Sequence, residues 1–393
     1  MHKADLSPAR RKLLVPVDSY PGAFALIPPP TPRSLVLPGL QDEFSRAREA
    51  LDLLKDLSAR LPNPDLLTRS ADRREAVRSS QIEGTHSEVN DLFTYEATGS
   101  DDGLPPDVQV THNYVMALEY GLGEVRQSGV TALTSGLIKE LHFRLMDGVD
   151  TYDGTPGEFR EKQNWIGGNK IYQARFVPPP HTYLQDCMDD LELLLQYKPA
   201  EGDYMELSIV MRMAIAHAQF ETIHPFIDGN GRVGRILLTL MLAAEGLPPV
   251  YLAGYLKNNQ QEYYDALAGV QLKDRWSEWV KFFAIGVEVA AKESIRIALE
   301  LQKILEKWKE LIAGFGLRSH SVLYRFPELI IANPVLTAQK ATNELGISFP
   351  SASAALALLE EKGVLTQRGG KRQRNRMFVA SEVINVLNRP AGG

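Results

Sequence analysis

The segment His224-Pro225-Phe226-Ile227-Asp228-Gly229-Asn230-Gly231-Arg232-Val233-Gly234-Arg235 holds one titratable base, one carboxylate, a glycine-rich turn and two arginines. Pro225 stops a preceding helix and leaves His224 at its end. Gly229 and Gly231 let the backbone enter positive φ and turn successive N–H groups toward one point. Such a nest, opening a new helix, binds phosphate oxygens. Arg232 and Arg235 are three apart and share a face of that helix's first turn, where guanidinium forks suit the outer phosphates of a nucleotide. Asp228 is a lone carboxylate, which is enough for Mg2+ when phosphates and water fill its other positions. His224 is then the group to take a proton from an attacking hydroxyl. Phe226 and Ile227 read as packing residues that fix the loop.

Other readings of these letters fit less well. The run 229–234 also satisfies G-x-G-x-x-G, but that fingerprint needs a strand before it and an acid about 20 residues on. A helix is expected before it here, and Glu245 comes too soon. No Walker loop and no His-Glu-x-x-His pair occurs, so hydrolytic zinc is not expected. The single Cys187 excludes an internal disulfide and a cysteine-rich zinc site. Hydrophobic residues make up 44% of the 393, enough to bury a sizeable core in two or three domains. A net charge of -6 argues against a surface that coats nucleic acid or membrane. The N-terminus runs straight into charged residues, and no apolar run reaches the ~20 residues that span a bilayer. The stretch 280–291 comes nearest and reads as a buried helix. A cytoplasmic protein with no membrane partner is the expectation.

Several elements must position the segment. Residues 1–40, with Pro28, Pro29, Pro30, Pro32 and Pro38, predict an extended arm rather than an element. Phe44, Ala47, Leu51, Leu54 and Leu57 predict a helix over 41–60, ended by Pro62 and Pro64. A second helix is expected over about 66–83, with Gly84 at its cap. Further helices are expected over 108–127, 133–147, 183–197 and 205–222, then from 233, then from 276 to about 312. Gly167-Gly168-Asn169, between the short runs 163–166 and 171–177, predicts a β-hairpin.

The segment resembles the signature of the Fic (fido) family, His-x-Phe-x-Asp/Glu-Gly-Asn-Gly-Arg-x-x-Arg, at every fixed position. The resemblance implies a mainly α fold. It would be a Fic-type helical bundle with a small β-hairpin flap, joined to a C-terminal winged helix-turn-helix. It implies transfer of AMP from ATP, with Mg2+, to a Ser, Thr or Tyr hydroxyl of a protein target, this chain itself included. It implies His224 as base, Asp228 as metal ligand, Gly229, Asn230 and Gly231 as anion hole, and Arg232 and Arg235 on the phosphates. Val233 and Gly234, within the same stretch, are counted with the nucleotide-binding residues. The 157–180 hairpin resembles the flap that holds a target by strand pairing, and Ile166 and Gly167 join the nucleotide side. Tyr263 and Tyr264 resemble adenine-side aromatics, and Gln271 falls near an adenine-contacting Asn of many relatives. An ordinary surface hairpin and a buried aromatic pair are the plain alternatives. His217 reads as a structural histidine.

Ser79-Ser80-Gln81-Ile82-Glu83-Gly84 is similar to the family's inhibitory motif, Ser/Thr-x-x-x-Glu-Gly/Asn, in its N-terminal variety. Ser79 and Glu83 share a helical face. The resemblance implies Glu83 pairing with Arg235 and filling the γ-phosphate space. Near the C-terminus, 336–365 reads helix, turn, helix, and Arg368, Lys371, Arg372, Arg374 and Arg376 follow without an acid. This resembles a winged helix, whose partner would be DNA or a protein. The expected divisions are 1–105, the Fic core at 106–290, a connecting helix at 291–316 and the winged helix at 317–393. An autoinhibited protein adenylyltransferase is the leading expectation, and a homodimer stays among the candidate assemblies. Two alternatives remain. One is a Fic enzyme that moves another phosphate-containing group or removes AMP. The other is a nucleotide-sensing DNA-binding regulator.

Overall fold

Between 209 and 223 the chain is apolar on almost every side, and a helix of that kind belongs in a core. The computed structural model describes residues 1–197, 208–368 and 376–389, apart from the side chains of 64–67. It contains helices α1 (Pro8–Arg11), α2 (Gln41–Arg60), α3 (Pro64–Ile82), α4 (Val89–Thr98), α5 (Val108–Ser128), α6 (Ser135–Met146), α7 (Leu184–Leu195) and α8 (Ile209–Ile223). These are followed by α9 (Asn230–Ala244), α10 (Ala253–Asn258), α11 (Gln260–Lys273), α12 (Trp276–Ala313), α13 (Phe326–Ala332), α14 (Ala338–Leu345), α15 (Phe349–Glu361) and α16 (Ser381–Asn388). The strands are β1 (Leu14–Pro16), β2 (Phe24–Leu26), β3 (Val335–Leu336), β4 (Thr366–Arg368) and β5 (Met377–Val379). The fold is mainly α, as expected, and no described helix is long and apolar enough to cross a membrane.

The chain divides into two compact units. One is Met1–Lys55 with Asn113–Ala291, and the other is Asp56–His112 with Lys292–Gly393. They do not follow the expected linear divisions, because the 1–55 segment groups with the core that holds the central motif.

In the first unit α8 packs against α7, α9 and α11, and α9 also against α6. Ser208 starts α8 by accepting from the Met211 N–H, a serine N-cap. The expected start at 205 lies outside the described residues. Every residue from Val210 to Ile223 is buried. A polar residue on such a helix needs a partner, so Arg212, His217, Gln219 and Glu221 must be accounted for.

Two sequence expectations fail here. The arm carries α1 and an antiparallel hairpin, β1–β2, with Val15 opposite Ala25. Ala25 and Leu26 are fully buried, so burial made strands of a segment whose prolines mask its short apolar runs. The segment 163–177, conversely, forms a single antiparallel bridge between Ile166 and Phe176 rather than two strands. Residues Ile171–Gln173 form a 3-10 turn, and Gly167 and Gly168 both have positive φ, so the ladder ends after one rung.

The second unit builds a three-stranded sheet, β3-β5-β4. The order α13, β3, α14, α15, β4, β5 is helix, strand, helix, helix, strand, strand. Thr337 caps α14 through the Lys340 N–H, Gly346 ends it in the left-handed region, and Ser348 caps α15. Buried ion pairs Arg73–Glu96 (3.1 Å) and Arg74–Glu293 (2.7 Å) tie α3 into this unit. The basic residues Lys371, Arg372 and Arg374 lie outside the described residues.

Candidate functional site

His224 closes α8 in the left-handed region, at φ 49° and ψ 60°. Its N–H donates to the Phe220 carbonyl at 2.8 Å. A histidine there is strained, and such strain persists only where the surroundings enforce it. The surroundings here are a set of backbone contacts. Arg160 is buried and carries four of them. Its N–H donates to the Pro225 carbonyl at 2.9 Å and its Nε to the His224 carbonyl at 3.0 Å. Its guanidinium also donates to the carbonyls of Pro179 and Lys162. Asn164 Nδ2 donates to the Phe226 carbonyl at 2.9 Å.

Inside the loop, Asn230 brackets Phe226. It accepts from the Phe226 N–H and donates to the Phe226 carbonyl, each at 2.9 Å. The Phe226 ring is fully buried and stacks on His142 at 3.8 Å between centroids. The Gly157 N–H donates to His142 Nδ1 at 2.9 Å. Nδ1 is therefore the acceptor, and Nε2–H donates to the Asp228 carbonyl at 3.1 Å. Burial pushes His142 down to about 4, so the ring is neutral.

Gly229, at φ 83°, is the N-cap of α9. A Cβ there would lie 3.3 Å from Met146 Sδ and 3.4 Å from both His142 and Leu145. Only glycine fits both the dihedral and the space. The first N–H groups of α9 have no intrahelical acceptor and point outward, as at any helix start. Asp228 Oδ1 accepts from the Gly229 N–H at 2.6 Å, and Oδ2 lies 3.4 Å from Arg232. The carboxylate is 66% exposed while the Arg232 side chain is buried beneath it. Arg235, also on α9, is buried. A helix start, a buried guanidinium and an open carboxylate thus follow His224 within one short stretch of chain.

His224 is 20% exposed. Its Nδ1 is buried and lies 3.6 Å from Glu221 Oε2. Burial opposes the Glu221 charge, but His224, His217 and Arg235 outweigh it and hold the carboxyl below its ordinary range.

Val233, Gly234 and Tyr263 have their side-chain positions turned inward. Val233 is fully buried in the core. Gly234 faces α8, where a Cβ would come within 3.1 Å of Glu221 and Phe220 and 3.3 Å of His217. Its lack of a side chain serves helix–helix approach. The Tyr263 side chain is 1% exposed, and its hydroxyl lies 2.9 Å from His217 Nε2 in an aromatic cluster with Trp279. A ring held there has no open face for a base. Tyr264 is half-buried and accepts from Gln260. Gln271 is buried and donates to the Glu221 carbonyl. Ile166 is half-buried at the single bridge, and the Gly167 carbonyl accepts from the Arg175 N–H.

The sequence reading missed Glu221, His142, Arg160 and Asn164. Only Glu221 left a usable signal, as the one acid on α8, three residues before His224.

His217 sets a pH limit on this unit. Burial pushes its ring from 6.5 down to about 4, against Glu221, which raises it, and with Arg235, which lowers it. An unfolded chain takes up the proton near pH 6.5, and the folded one resists until about 4. Stability from this ring is therefore complete above pH 6.5 and is lost as pH falls through that window, by about 3 kcal/mol. Thermal melts of wild type should fall more steeply between pH 7 and pH 4.5 than those of His217→Gln. Parallel curves would contradict this.

Residues 41–123 match the model of the Fic/DOC family N-terminal region, and 132–242 that of the Fic/DOC family. A protein adenylyltransferase Fic of Aedes aegypti is 30% identical over 227 residues, covering 56% of this chain and 42% of that protein. One of Drosophila grimshawi is 34% identical over 158 residues, covering 40% and 29%. The chain thus spans less than half the length of these curated relatives. A crystal structure of a Fic family protein from Desulfovibrio desulfuricans aligns with 88% of this chain and 98% of its own, at TM-score 0.51 and 19% identity. A Fic domain-containing signaling protein from Bacteroides thetaiotaomicron aligns at TM-score 0.52 and 20% identity, over 65% of this chain and 96% of its own. These two likenesses concern the fold.

Proposed function

We propose that this chain, which belongs to the Fic/DOC family, transfers AMP from ATP to a Ser, Thr or Tyr hydroxyl of a protein. One observation carries the reading: a partly exposed imidazole stands beside the glycine-capped start of α9, where Arg232 is buried and Asp228 faces solvent. The helix start and Arg232 bind phosphate oxygens. The target hydroxyl oxygen attacks the α-phosphorus. The bond from that phosphorus to the bridging oxygen breaks, and pyrophosphate leaves with the electron pair. The hydroxyl proton passes to His224 Nε2 and then to solvent. Arg235 completes the phosphate set.

Asp228 fits Mg2+. It is a single open carboxylate, and Mg2+ commonly takes one or two carboxylates and keeps water and phosphate oxygens. When bound, the ion neutralises phosphate charge. Asp228→Asn should raise the Mg2+ concentration needed for half-maximal rate by at least about 10–100-fold, the range seen when only a ligand's supporting partner is lost. An unchanged Mg2+ titration would remove Asp228 from that role.

The deciding experiment incubates the chain with ATP labelled at the α- or the γ-phosphate. Label on protein from the α-position alone supports the proposal. Label from the γ-position would mean phosphate transfer, and loss of AMP from a premodified target would mean removal.

A second reading keeps Glu83 as a built-in brake, as its Ser-x-x-x-Glu-Gly context implies. A third concerns the second unit. Its helix, strand, helix, helix, strand, strand order favours a winged helix that docks on DNA or on a protein. Retention on DNA at moderate salt with no AMP transfer would favour a nucleotide-sensing regulator instead.

A further inference from the structure

We infer that Glu221 is the positioning residue of His224, holding the imidazole with its proton on Nδ1 so that Nε2 faces the acceptor hydroxyl as the base. The inference rests on the proposed transfer reaction for its consequence, but not for its geometry. Glu221 lies in the last turn of α8, three residues before His224. Its side chain is 8% exposed, on a helix buried at every residue from Val210 to Ile223. A carboxylate buried in such a place needs compensation by charge or hydrogen bonds.

Two atoms stand out there. Glu221 Oε1 and His224 Nδ1 are both buried without a hydrogen-bond partner among the described residues. The nearest approach of the two side chains is 3.6 Å, from Oε2 to Nδ1. That is a few tenths of an ångström beyond hydrogen-bond reach, and such contacts in catalytic sites often tighten only when substrate binds. His224 sits in the left-handed conformation at the end of α8, and Arg160 fixes that backbone through the His224 carbonyl. Gly234 leaves room on the far side, since a Cβ would press on Oε1 at 3.1 Å.

The chemical consequence follows from the two ring nitrogens. A neutral imidazole carries one proton, and the nitrogen facing a carboxylate keeps it. With Nδ1–H turned to Glu221, the lone pair sits on Nε2. When the hydroxyl proton arrives on Nε2, the ring becomes a cation, and the adjacent carboxylate stabilises it. The serine-protease triad uses an aspartate in this way, and there a change to the neutral amide costs about 10⁴-fold in kcat. The contact here is longer, so a loss of about 10²-fold is expected. The rival account is a carboxylate that only joins α8 to α9.

Nitrogen-15 NMR of the wild-type chain should show neutral His224 mainly as the Nδ1–H tautomer. Glu221→Gln keeps the shape and removes the charge. It should yield a mixed tautomer population and a kcat lower by about 10²-fold, with KM for ATP unchanged. Gly234→Ala, which displaces Oε1, should also mix the tautomers. A wild-type ring protonated on Nε2 would overturn the inference, and so would a tautomer and kcat that ignore Glu221→Gln. Should Glu221→Gln fail to fold, the wild-type tautomer and Gly234→Ala still decide. If the wild-type chain moves no AMP while the tautomer responds as stated, the reaction proposal falls and this inference stands.

Discussion

His224→Ala is expected to abolish transfer of α-labelled AMP, with a loss of about 10²–10⁴-fold from the missing base alone. Neither His142 nor His217 can take over. His142 has both nitrogens engaged, by Gly157 and by the Asp228 carbonyl. His217 is buried in the core with its Nε2 against Tyr263. The substitution should leave ATP affinity close to wild type, because the helix start, Arg232 and Asp228 do not depend on the ring. Alanine keeps the Cβ that makes φ 49° costly, but the Arg160 contact to the residue 224 carbonyl does not involve the ring, so the fold should survive. Calorimetry of ATP binding beside the label assay checks both halves. Retained transfer would mean that another group, or water alone, deprotonates the hydroxyl.

Glu83→Gly is expected to raise AMP transfer, by about a hundredfold if its carboxylate keeps the triphosphate off line by an ångström or so. On that reading the carboxylate would repel the γ-phosphate and compete for its arginine, leaving the α-phosphorus of ATP misaligned. The local structure makes the substitution a clean test. Glu83 is the C-cap of α3, its N–H donates to the Ser80 carbonyl at 2.9 Å, and Gly84 follows at φ 92°. Glycine is tolerated at a helix end, so α3 should lose little. Ala76, Val77, Ser79 and Ser80 remain buried and keep the helix packed. The intact mass of the variant after incubation with ATP and Mg2+ reads any AMP added to the chain itself. Equal rates for wild type and Glu83→Gly would discard the brake.

The sequence by itself determined much of this protein, because the decisive signals were local. Pro225 after an apolar run ends α8 at 223 and delivers His224. Gly229 takes the expected positive φ, whereas Gly231, expected to share it, lies within α9, which starts at Asn230. Thr337 and Gly346 mark the α14 boundaries through caps that act within a few residues, whereas α15, read from Ser351, starts earlier on a Ser348 cap. Helix period and capping depend on neighbours in the chain, so they are legible without a fold.

Tertiary structure alone decided what depends on distant neighbours. The arm became β1–β2 because Ala25 and Leu26 found a core to enter. The expected flap hairpin kept one bridge, since two positive-φ glycines leave little length to pair. Tyr263 looked able to stack on adenine, but the ring cluster around Trp279 and His217 absorbs it. Val233 and Gly234 sit inside the motif yet turn toward the core and α8. The contacts that hold the loop backbone at His224, Phe226 and Asp228 come from Arg160, Asn164 and His142, up to 86 residues away in sequence. A hydrogen bond between such residues forms only once packing has brought them together, and no periodicity along the chain records it.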